Sequence, residues 1–348
     1  MVLTIFLLLQ LLFISYGRKN INGERVNDTL SFVVFSFFLG LFFFKNEYFG
    51  ADTKNYLFEF SQYCLNPDAY TGLDFTYEII FHIINFLIVG TCNISWLVWV
   101  WPAFVISFIY FSLYIFRYDK LYIVALFSSF IGIELLTNAM RQGFSLAVLI
   151  LALCFFLKGR YVYFVLFSLL SFLFHQASIL IFTILLVSRI NYKILIPGLL
   201  VGIYIVFFTT HIDFLPGAHS FKASIYKYMP YSDDDFIVRI ISLFVLLCTS
   251  IVYTWMSFRS EQKDAVVLNS LLNIISICMV VSIVPYLGFR VIYGVYPLVL
   301  LMTYTSMRVY NRKHYIYLSI VTSINAIVSI VWLCGSTHMR EIPFVSFI

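Results

Sequence analysis

Apolar side chains recur along the whole chain in long blocks that short polar breaks separate. The blocks are apolar on every face and lack the alternation of membrane β-barrel strands. Inside a bilayer each backbone N–H and C=O needs a partner within its own segment, so such blocks predict transmembrane α-helices. The candidate spans are residues 2–16, 30–44, 94–116, 121–136, 143–157, 161–174, 177–188, 194–209, 237–257, 265–284, 291–307 and 315–333.

One further apolar run, Tyr77–Gly90, is shorter than a transmembrane helix normally needs to be. It also carries Glu78 and His82, which are costly to expose to lipid. We expect a re-entrant or interfacial helix here. If the run crosses the bilayer instead, the first two helices reverse their orientation and the loop around Asp52 moves to the cytoplasm.

The composition excludes a water-soluble fold. Of the 348 residues 62% are hydrophobic and 11% are charged, whereas soluble domains hold about 25% charged residues. In water such a chain would expose a large apolar surface. We predict an all-α integral membrane protein, a polytopic bundle of about 12 transmembrane helices plus the re-entrant or interfacial helix, forming a single membrane domain over residues 1–348.

Basic residues are concentrated in alternate short loops, which the positive-inside rule places in the cytoplasm. Both termini and two long loops, about 45–93 and 210–236, then face outward. In a bacterium this outer face is the periplasm. The basic residues of the cytoplasmic loops are Arg18, Lys19, Arg25, Arg117, Lys120, Lys158, Arg160, Arg189, Lys193, Arg259, Lys263, Arg308, Arg312 and Lys313.

The chain shows no pattern typical of a metal, a cofactor or a nucleic acid, so we expect none of them. The six cysteines form no CxxC pair, and three consecutive acids at 233–235 favour a solvated loop, because they cannot all point at one ion. Cys64 and Cys92 could form a disulfide if both face an oxidising space.

Arg141 is the first candidate for chemistry. It lies in the polar break Leu136–Gly143, at the outer ends of two apolar helices. A helix predicted to begin at Gly143 adds unpaired N–H groups and the positive end of its dipole, and together with a guanidinium these suit a phosphate. Alternatively, Arg141 contacts lipid headgroups or pairs with Glu134.

Arg290 is the second candidate. It ends the segment Pro285–Arg290, in which Pro285 and Gly288 are expected to free backbone groups. A bilayer tolerates such groups only beside protein or a water-filled cavity. We expect Arg141 and Arg290 to reach a common water-filled pocket on the outer face, where two guanidinium groups could neutralise a diphosphate without a metal.

Two more residues lie near the outer ends of predicted spans. His175, between two apolar stretches, could act as a base or acid near neutral pH, or be a solvated turn residue. Arg239 begins a predicted helix, which is an unfavourable place for a cation and hints at an anionic partner such as Asp235, although a headgroup contact is favoured. In the outer loop, Asp52 and Tyr56 have the spacing of one helical stripe, which continues to Phe60.

Several of these segments together resemble the EpsG/Wzy-type polysaccharide polymerases. Asn138–Gly143 and Phe174–Ser178 resemble that family's RQ and fHxS core, and Gly50–Tyr56 is similar to its external G-x-D-x-x-x-Y segment. Tyr77–Phe81 resembles the E-x-g-F stretch that follows, and Arg290 falls where the family has a late external arginine. The resemblance covers about residues 45–300.

The resemblance implies a GT-C-like membrane glycosyltransferase of the bacterial inner membrane. Such enzymes polymerise O-antigen or exopolysaccharide repeat units carried on undecaprenyl diphosphate at the periplasmic face, without a metal or cofactor. The implied partners are the lipid-linked oligosaccharide, membrane lipids and a chain-length regulator.

The resemblance also implies roles for particular residues. Arg141 and Arg290 would bind the diphosphate and stabilise its departing charge. His175, or less favourably Asp52, would take the proton of the acceptor hydroxyl. The residues assigned to substrate binding are Gln142, Tyr56, Arg239 and Asn138.

Two other functions compete with polymerisation. A flippase for the same lipid-linked oligosaccharide would need charges in a central cavity and often has two related halves, and the sequence has no internal repeat. An O-antigen ligase-like transferase would use similar chemistry with a different acceptor, and the sequence leaves it open.

Overall fold

The computed structural model describes residues 53–66, 94–118, 122–137, 139–175, 177–208, 233–258, 265–282, 285–307 and 312–335. All regular secondary structure in these ranges is α-helical. The helices are α1 (Thr53–Leu65), α2 (Ile94–Ile115), α3 (Tyr122–Phe127), α4 (Phe130–Thr137), α5 (Met140–Leu157), α6 (Tyr161–Phe174), α7 (Ala177–Val187), α8 (Tyr192–Phe208), α9 (Asp233–Phe258), α10 (Ala265–Val281), α11 (Pro285–Met307) and α12 (Arg312–Gly335).

The described helices have the character of a helical membrane protein. Met140–Leu157 and Ile240–Phe258 are long and apolar enough to cross a bilayer, and shorter apolar segments such as Tyr161–Phe174 accompany them. The number of about 12 spans and the GT-C-like arrangement stay predictions. The candidate spans 2–16 and 30–44, the run Tyr77–Gly90 and most of the outer loops lie outside the described residues.

The predicted span 121–136 is two helices rather than one, because α3 and α4 are separated at Ser128 and Ser129. The Ser129 hydroxyl accepts a hydrogen bond from the Gly132 N–H at 3.0 Å, so it caps the start of α4. Hydropathy does not reveal this break, since serine lowers the mean hydropathy of an apolar run only slightly.

Two side chains of α12 donate hydrogen bonds to backbone carbonyls at the α3–α4 break. Asn325 donates its Nδ2 to the Ala125 carbonyl at 2.9 Å, and the Ser329 hydroxyl donates to the Ser128 carbonyl at 2.7 Å. Asn325 and Ser329 are four residues apart and therefore lie on one face of α12. Both are buried, so an interrupted backbone at this place keeps hydrogen-bond partners.

Two predicted boundaries are wrong. Helix α11 begins at Pro285 and continues through Gly288, so the segment before Arg290 is not a break in the backbone. Proline is well suited to the first helical position because its missing N–H has no intrahelical partner there. The acids at 233–235 form the first turn of α9 instead of a loop, and Arg239 therefore does not begin that helix.

The described part forms two compact units. The first, residues 1–179 and 308–348, contains α1 to α6 and α12. Its centre is α5, which packs against α2, α4 and α6, while α12 packs against α3 and α4. The aromatic side chains of this core include Tyr122, Phe127 and Phe130, all fully buried.

The second compact unit, residues 180–307, is built around α11, which packs against α9 and α10. Helix α8 packs against α10. Asn273 of α10 donates its Nδ2 to the carbonyls of Ser188 and Ile190, and Asn269 donates to the Ile190 carbonyl at 2.9 Å. These amides satisfy carbonyls that the end of α7 leaves without an intrahelical donor.

Candidate active site

A tight helical hairpin, α5–α6, carries the main candidate residues. Its turn is only three residues long, and Gly159 at its middle has φ +71°, a backbone conformation that a side chain would disfavour. The Lys158 and Gly159 N–H groups bond to the last carbonyls of α5, at 3.1 and 2.9 Å. A turn this short makes α5 and α6 antiparallel neighbours, so the beginning of α5 and the end of α6 lie at the same end of the hairpin.

Two buried serines fix the register of the hairpin. The hydroxyls of Ser145 and Ser171 are 2.8 Å apart, and the Ser171 hydroxyl also lies 2.8 Å from the Ser145 carbonyl, to which it can donate. Arg141 precedes Ser145 by four residues, and His175 follows Ser171 by four. Arg141 and His175 therefore lie at the same level of the antiparallel hairpin, each about 6 Å along the helix axis from the serine pair and on the side away from the turn. The structure brings Arg141 and His175 to one end of the hairpin.

Arg141 lies in the first turn of α5, because that helix begins at Met140 and not at the predicted Gly143. Ala139 precedes the helix and offers no side-chain cap, and the first turn holds no acid. The Arg141 side chain is half-buried and its Nε is shielded from solvent. A cation beside the positive end of a helix dipole is unfavourable unless an anion lies close by. This end of α5 is therefore suited to an anionic ligand.

Gly143 lets α5 begin against α4. A Cβ atom placed on Gly143 would overlap the carbonyl oxygen of Leu135, so no side chain fits there. The adjacent Gln142 is only 4% exposed. Glu134, which the sequence offered as a partner for Arg141, is 5% exposed and lies in the last turn of α4. The lack of a side chain at Gly143 therefore allows the start of α5, which carries Arg141, to approach the backbone of α4 at Leu135.

His175 ends α6 in an extended conformation, with φ −159° and ψ 121°. Its N–H bonds to the Ser171 carbonyl at 3.3 Å, and its carbonyl accepts from the Ser178 N–H at 3.0 Å. The ring is half-buried and its Nε2 is shielded from solvent. The buried hydroxyls of Ser168 and Ser178 have no hydrogen-bond partner among the described residues. Ser178 lies three residues after His175, whereas Ser168 lies about two turns before the end of α6.

The opposite end of the hairpin is basic. Lys158 places its Nζ 5.2 Å from the centre of the Tyr118 ring, and Phe116 meets Phe155 edge-on at 4.7 Å. Phe104 in the middle of α2 contacts Phe144 near the start of α5 at 5.0 Å, whereas Phe116 just after α2 contacts Phe155 near the end of α5, so α2 and α5 run parallel. The segment after α2, which contains Arg117 and Tyr118, therefore meets the turn Lys158–Arg160 at the end of the hairpin away from Arg141 and His175. The charge pattern assigned both segments to the cytoplasm.

Helix α1 carries the candidate Tyr56. Tyr56 is 8% exposed, and Phe60 and Tyr63 are buried on the same side of the helix, so the predicted aromatic stripe faces the first unit's core. Cys64 is disulfide-bonded. Its predicted partner Cys92 lies outside the described residues.

The remaining candidates lie outside the α5–α6 hairpin. Arg290 lies in the second turn of α11, in the second compact unit, half-buried and with its Nε shielded. Arg239 lies within α9. Asp52 and Asn138 lie outside the described residues. The common pocket for Arg141 and Arg290 stays a prediction.

No pattern in the sequence singled out Trp101. Its indole donates to the Met140 carbonyl at 2.7 Å, beside Arg141. The serine pair, by contrast, was within reach of sequence reasoning, because Ser145 and Ser171 each lie four residues from a candidate. In the described residues no group of three or more His, Cys, Asp or Glu side chains is arranged to hold a metal.

Comparison with known proteins identifies a family. A family model described as the EpsG family matches residues 28–346, which is nearly the whole chain and includes the α5–α6 hairpin. No curated protein and no solved structure matches the chain.

Proposed function

The chain belongs to the EpsG family, and on that premise we propose that it is a membrane glycosyltransferase that polymerises O-antigen or exopolysaccharide repeat units. Membership supports a polymerase-type role in polysaccharide synthesis in general. The finer proposal is that the enzyme transfers a growing glycan from undecaprenyl diphosphate to an incoming lipid-linked repeat unit. One observation carries it: Arg141 and His175 lie in register at one end of the α5–α6 hairpin.

The proposed reaction needs an anion site and a base. A hydroxyl of the incoming unit attacks the anomeric carbon of the growing chain, and the bond from that carbon to the diphosphate oxygen breaks. Undecaprenyl diphosphate leaves with the bonding electron pair, and His175 takes the acceptor proton. Arg141 and the first turn of α5 are placed to stabilise the negative charge that develops on the diphosphate.

The site is proposed to face outward, which in a bacterial inner membrane is the periplasm. The meeting of Lys158 with Tyr118 at the other end of the hairpin supports this, because basic turns favour the cytoplasm. The disulfide at Cys64 supports an oxidising environment for α1.

The other assigned residues stay proposals from the sequence. Arg290 is proposed to add a second guanidinium to the diphosphate site, and Asp52 is the alternative base. Gln142 and Tyr56 are nearly buried, which favours a supporting role over direct sugar contact. The further substrate contacts proposed are Arg239 and Asn138. A chain-length regulator is the proposed protein partner.

The test is the glycolipid profile of a strain that lacks the gene. We expect loss of long polymer with a lipid-linked single repeat retained, and restoration by the wild-type gene. Complementation with Arg141→Ala should fail, whereas the matched Arg160→Ala, an exposed arginine at the other end of the hairpin, should restore long chains. Free polymer that is never joined to its final acceptor would indicate a ligase, and accumulation of cytoplasm-facing units would indicate a flippase.

A further inference from the structure

Trp101 joins α2 to the backbone immediately before Arg141. Its indole Nε1 donates to the Met140 carbonyl at 2.7 Å across 39 residues of sequence, and the hydrogen bond is buried. Trp101 itself is 3% exposed. A buried indole N–H usually has a partner, but here the partner is a main-chain carbonyl in the first turn of the helix that carries the candidate cation.

A hydrogen bond to the Met140 carbonyl can position Arg141, because Met140 directly precedes Arg141 in the first turn of α5. Met140 is the first helical residue of α5, and no side chain caps the turn from Ala139. A carbonyl oxygen has two lone pairs, so it can accept both from the indole and from the helix N–H four residues later. Trp101 therefore adds a lateral contact to a turn that would otherwise be held by the helix ladder and by the close approach at Gly143.

Contacts between aromatic rings connect Trp101 with the residue that precedes His175, the other candidate. The Trp101 ring lies 5.1 Å from the Phe144 ring, and Phe144 meets Phe174 edge-on at 4.2 Å. Phe174 immediately precedes His175. Trp101 thus contacts α5 by a hydrogen bond and a ring contact, and α5 contacts the end of α6 through the next ring.

We propose that Trp101 is a positioning residue, which orients the first turn of α5 so that Arg141 meets the departing diphosphate. The inference rests on the proposed function for its reaction. It does not require Trp101 to touch the substrate. Its specific claim is that the indole N–H, and not only the volume of the ring, matters for turnover.

The test removes the N–H with little change of shape. Trp101→Phe keeps an aromatic ring, and replacement of Trp101 by β-(3-benzothienyl)alanine keeps the bicyclic shape while sulfur replaces the N–H. The matched control is Trp332→Phe, a buried tryptophan of the same unit whose ring lies 5.6 Å from Phe130. Each purified, folded protein is assayed for kcat and KM with the lipid-linked repeat unit, and for affinity towards methylenediphosphonate, a stable diphosphate analogue.

We expect kcat to fall about three- to tenfold in both Trp101 variants, the effect of one lost hydrogen bond, with a smaller change in KM. Trp101→Phe and Trp332→Phe should both lower the melting temperature, because each shortens a buried ring. The affinity for methylenediphosphonate should weaken by a similar factor, and Trp332→Phe should stay within about twofold of wild type. If both Trp101 variants match Trp332→Phe in turnover and in affinity, the positioning role is refuted. If wild type shows no polymerisation, the proposed function fails, while the affinity comparison still decides the role of Trp101 at the anion site.

Discussion

At the scale of single residues, the notable feature is a cation at the positive end of a helix. Arg141 lies in the first turn of α5 with no acid in that turn and no side-chain cap before it. Protein helices usually place Asp or Glu there. A diphosphate bound at this end would interact favourably with both the guanidinium and the helix dipole, and this is why Arg141 is central to the proposed site.

His175 provides the first prediction at this scale. Replacement by Gln keeps a polar side chain of similar length but removes the group that can accept a proton. We expect His175→Gln to lower kcat by about 10²- to 10⁴-fold, the usual contribution of a general base. The affinity for methylenediphosphonate should change little, because Arg141 is intact. Wild-type turnover in this variant would remove His175 from the mechanism.

Gly143 provides a second prediction. Gly143→Ala places a methyl group against the Leu135 carbonyl, whereas Gly198→Ala in α8 meets nothing within 4 Å. We expect Gly143→Ala to destabilise the protein by about 1–3 kcal/mol and Gly198→Ala to be neutral or stabilising by up to about 1 kcal/mol. Thermal unfolding in one detergent compares the two. Equal melting temperatures would contradict the close approach of α4 and α5.

At the scale of elements, the chain shows what hydropathy can and cannot predict. Helix α6 matches its predicted span, since Lys158–Arg160 and His175 interrupt the apolar run clearly on both sides. The α3–α4 break was missed because Ser128 and Ser129 act through hydrogen bonds and not through polarity. Pro285 was misread as a break because proline begins a helix as readily as it ends one.

The same contrast applies to the candidate site. The polar interruptions near the outer ends of predicted spans, together with a resemblance in short motifs, selected Arg141 and His175, and the register of the hairpin places them at one end. Trp101 could not be predicted, because its role depends on a contact between helices that are distant in sequence.

The support of the α3–α4 break is testable at this scale. Ser329→Ala removes the hydroxyl that reaches Ser128 on another helix, whereas Ser276→Ala removes one that bonds only to Leu272 of its own helix. We expect a loss of about 1–3 kcal/mol for Ser329→Ala, because a buried carbonyl loses a donor, and less than about 0.5 kcal/mol for Ser276→Ala. Unfolding in denaturant and mild detergent gives both values. A larger effect at Ser276 would refute the assignment.

At the scale of the whole molecule, the account depends on which side of the membrane each end occupies. The basic turn at Lys158–Arg160 and the disulfide at Cys64 belong to opposite ends of the proposed topology. The charge of the turn favours the cytoplasm, and a disulfide favours an oxidising space for α1, so both support the proposed orientation. The two arguments are independent, so their agreement is informative.

A thiol-labelling experiment tests this topology. In intact cells Cys64 should react with maleimide–polyethylene glycol only after reduction, because its thiol is held in a disulfide. An Arg160→Cys variant should react only after the inner membrane is opened. If the cysteine at 160 is labelled in intact cells under conditions that keep the inner membrane sealed, the orientation is reversed.

The most direct measurement of the central claim is polymerisation by the purified protein in proteoliposomes, with lipid-linked repeat units as the only sugar substrate. Wild type should produce a ladder of longer glycans and release undecaprenyl diphosphate. Arg141→Ala should lower the rate by about 10²- to 10³-fold, as removal of a main electrostatic stabiliser does, while Arg160→Ala keeps it. Undiminished ladders from Arg141→Ala would contradict the account.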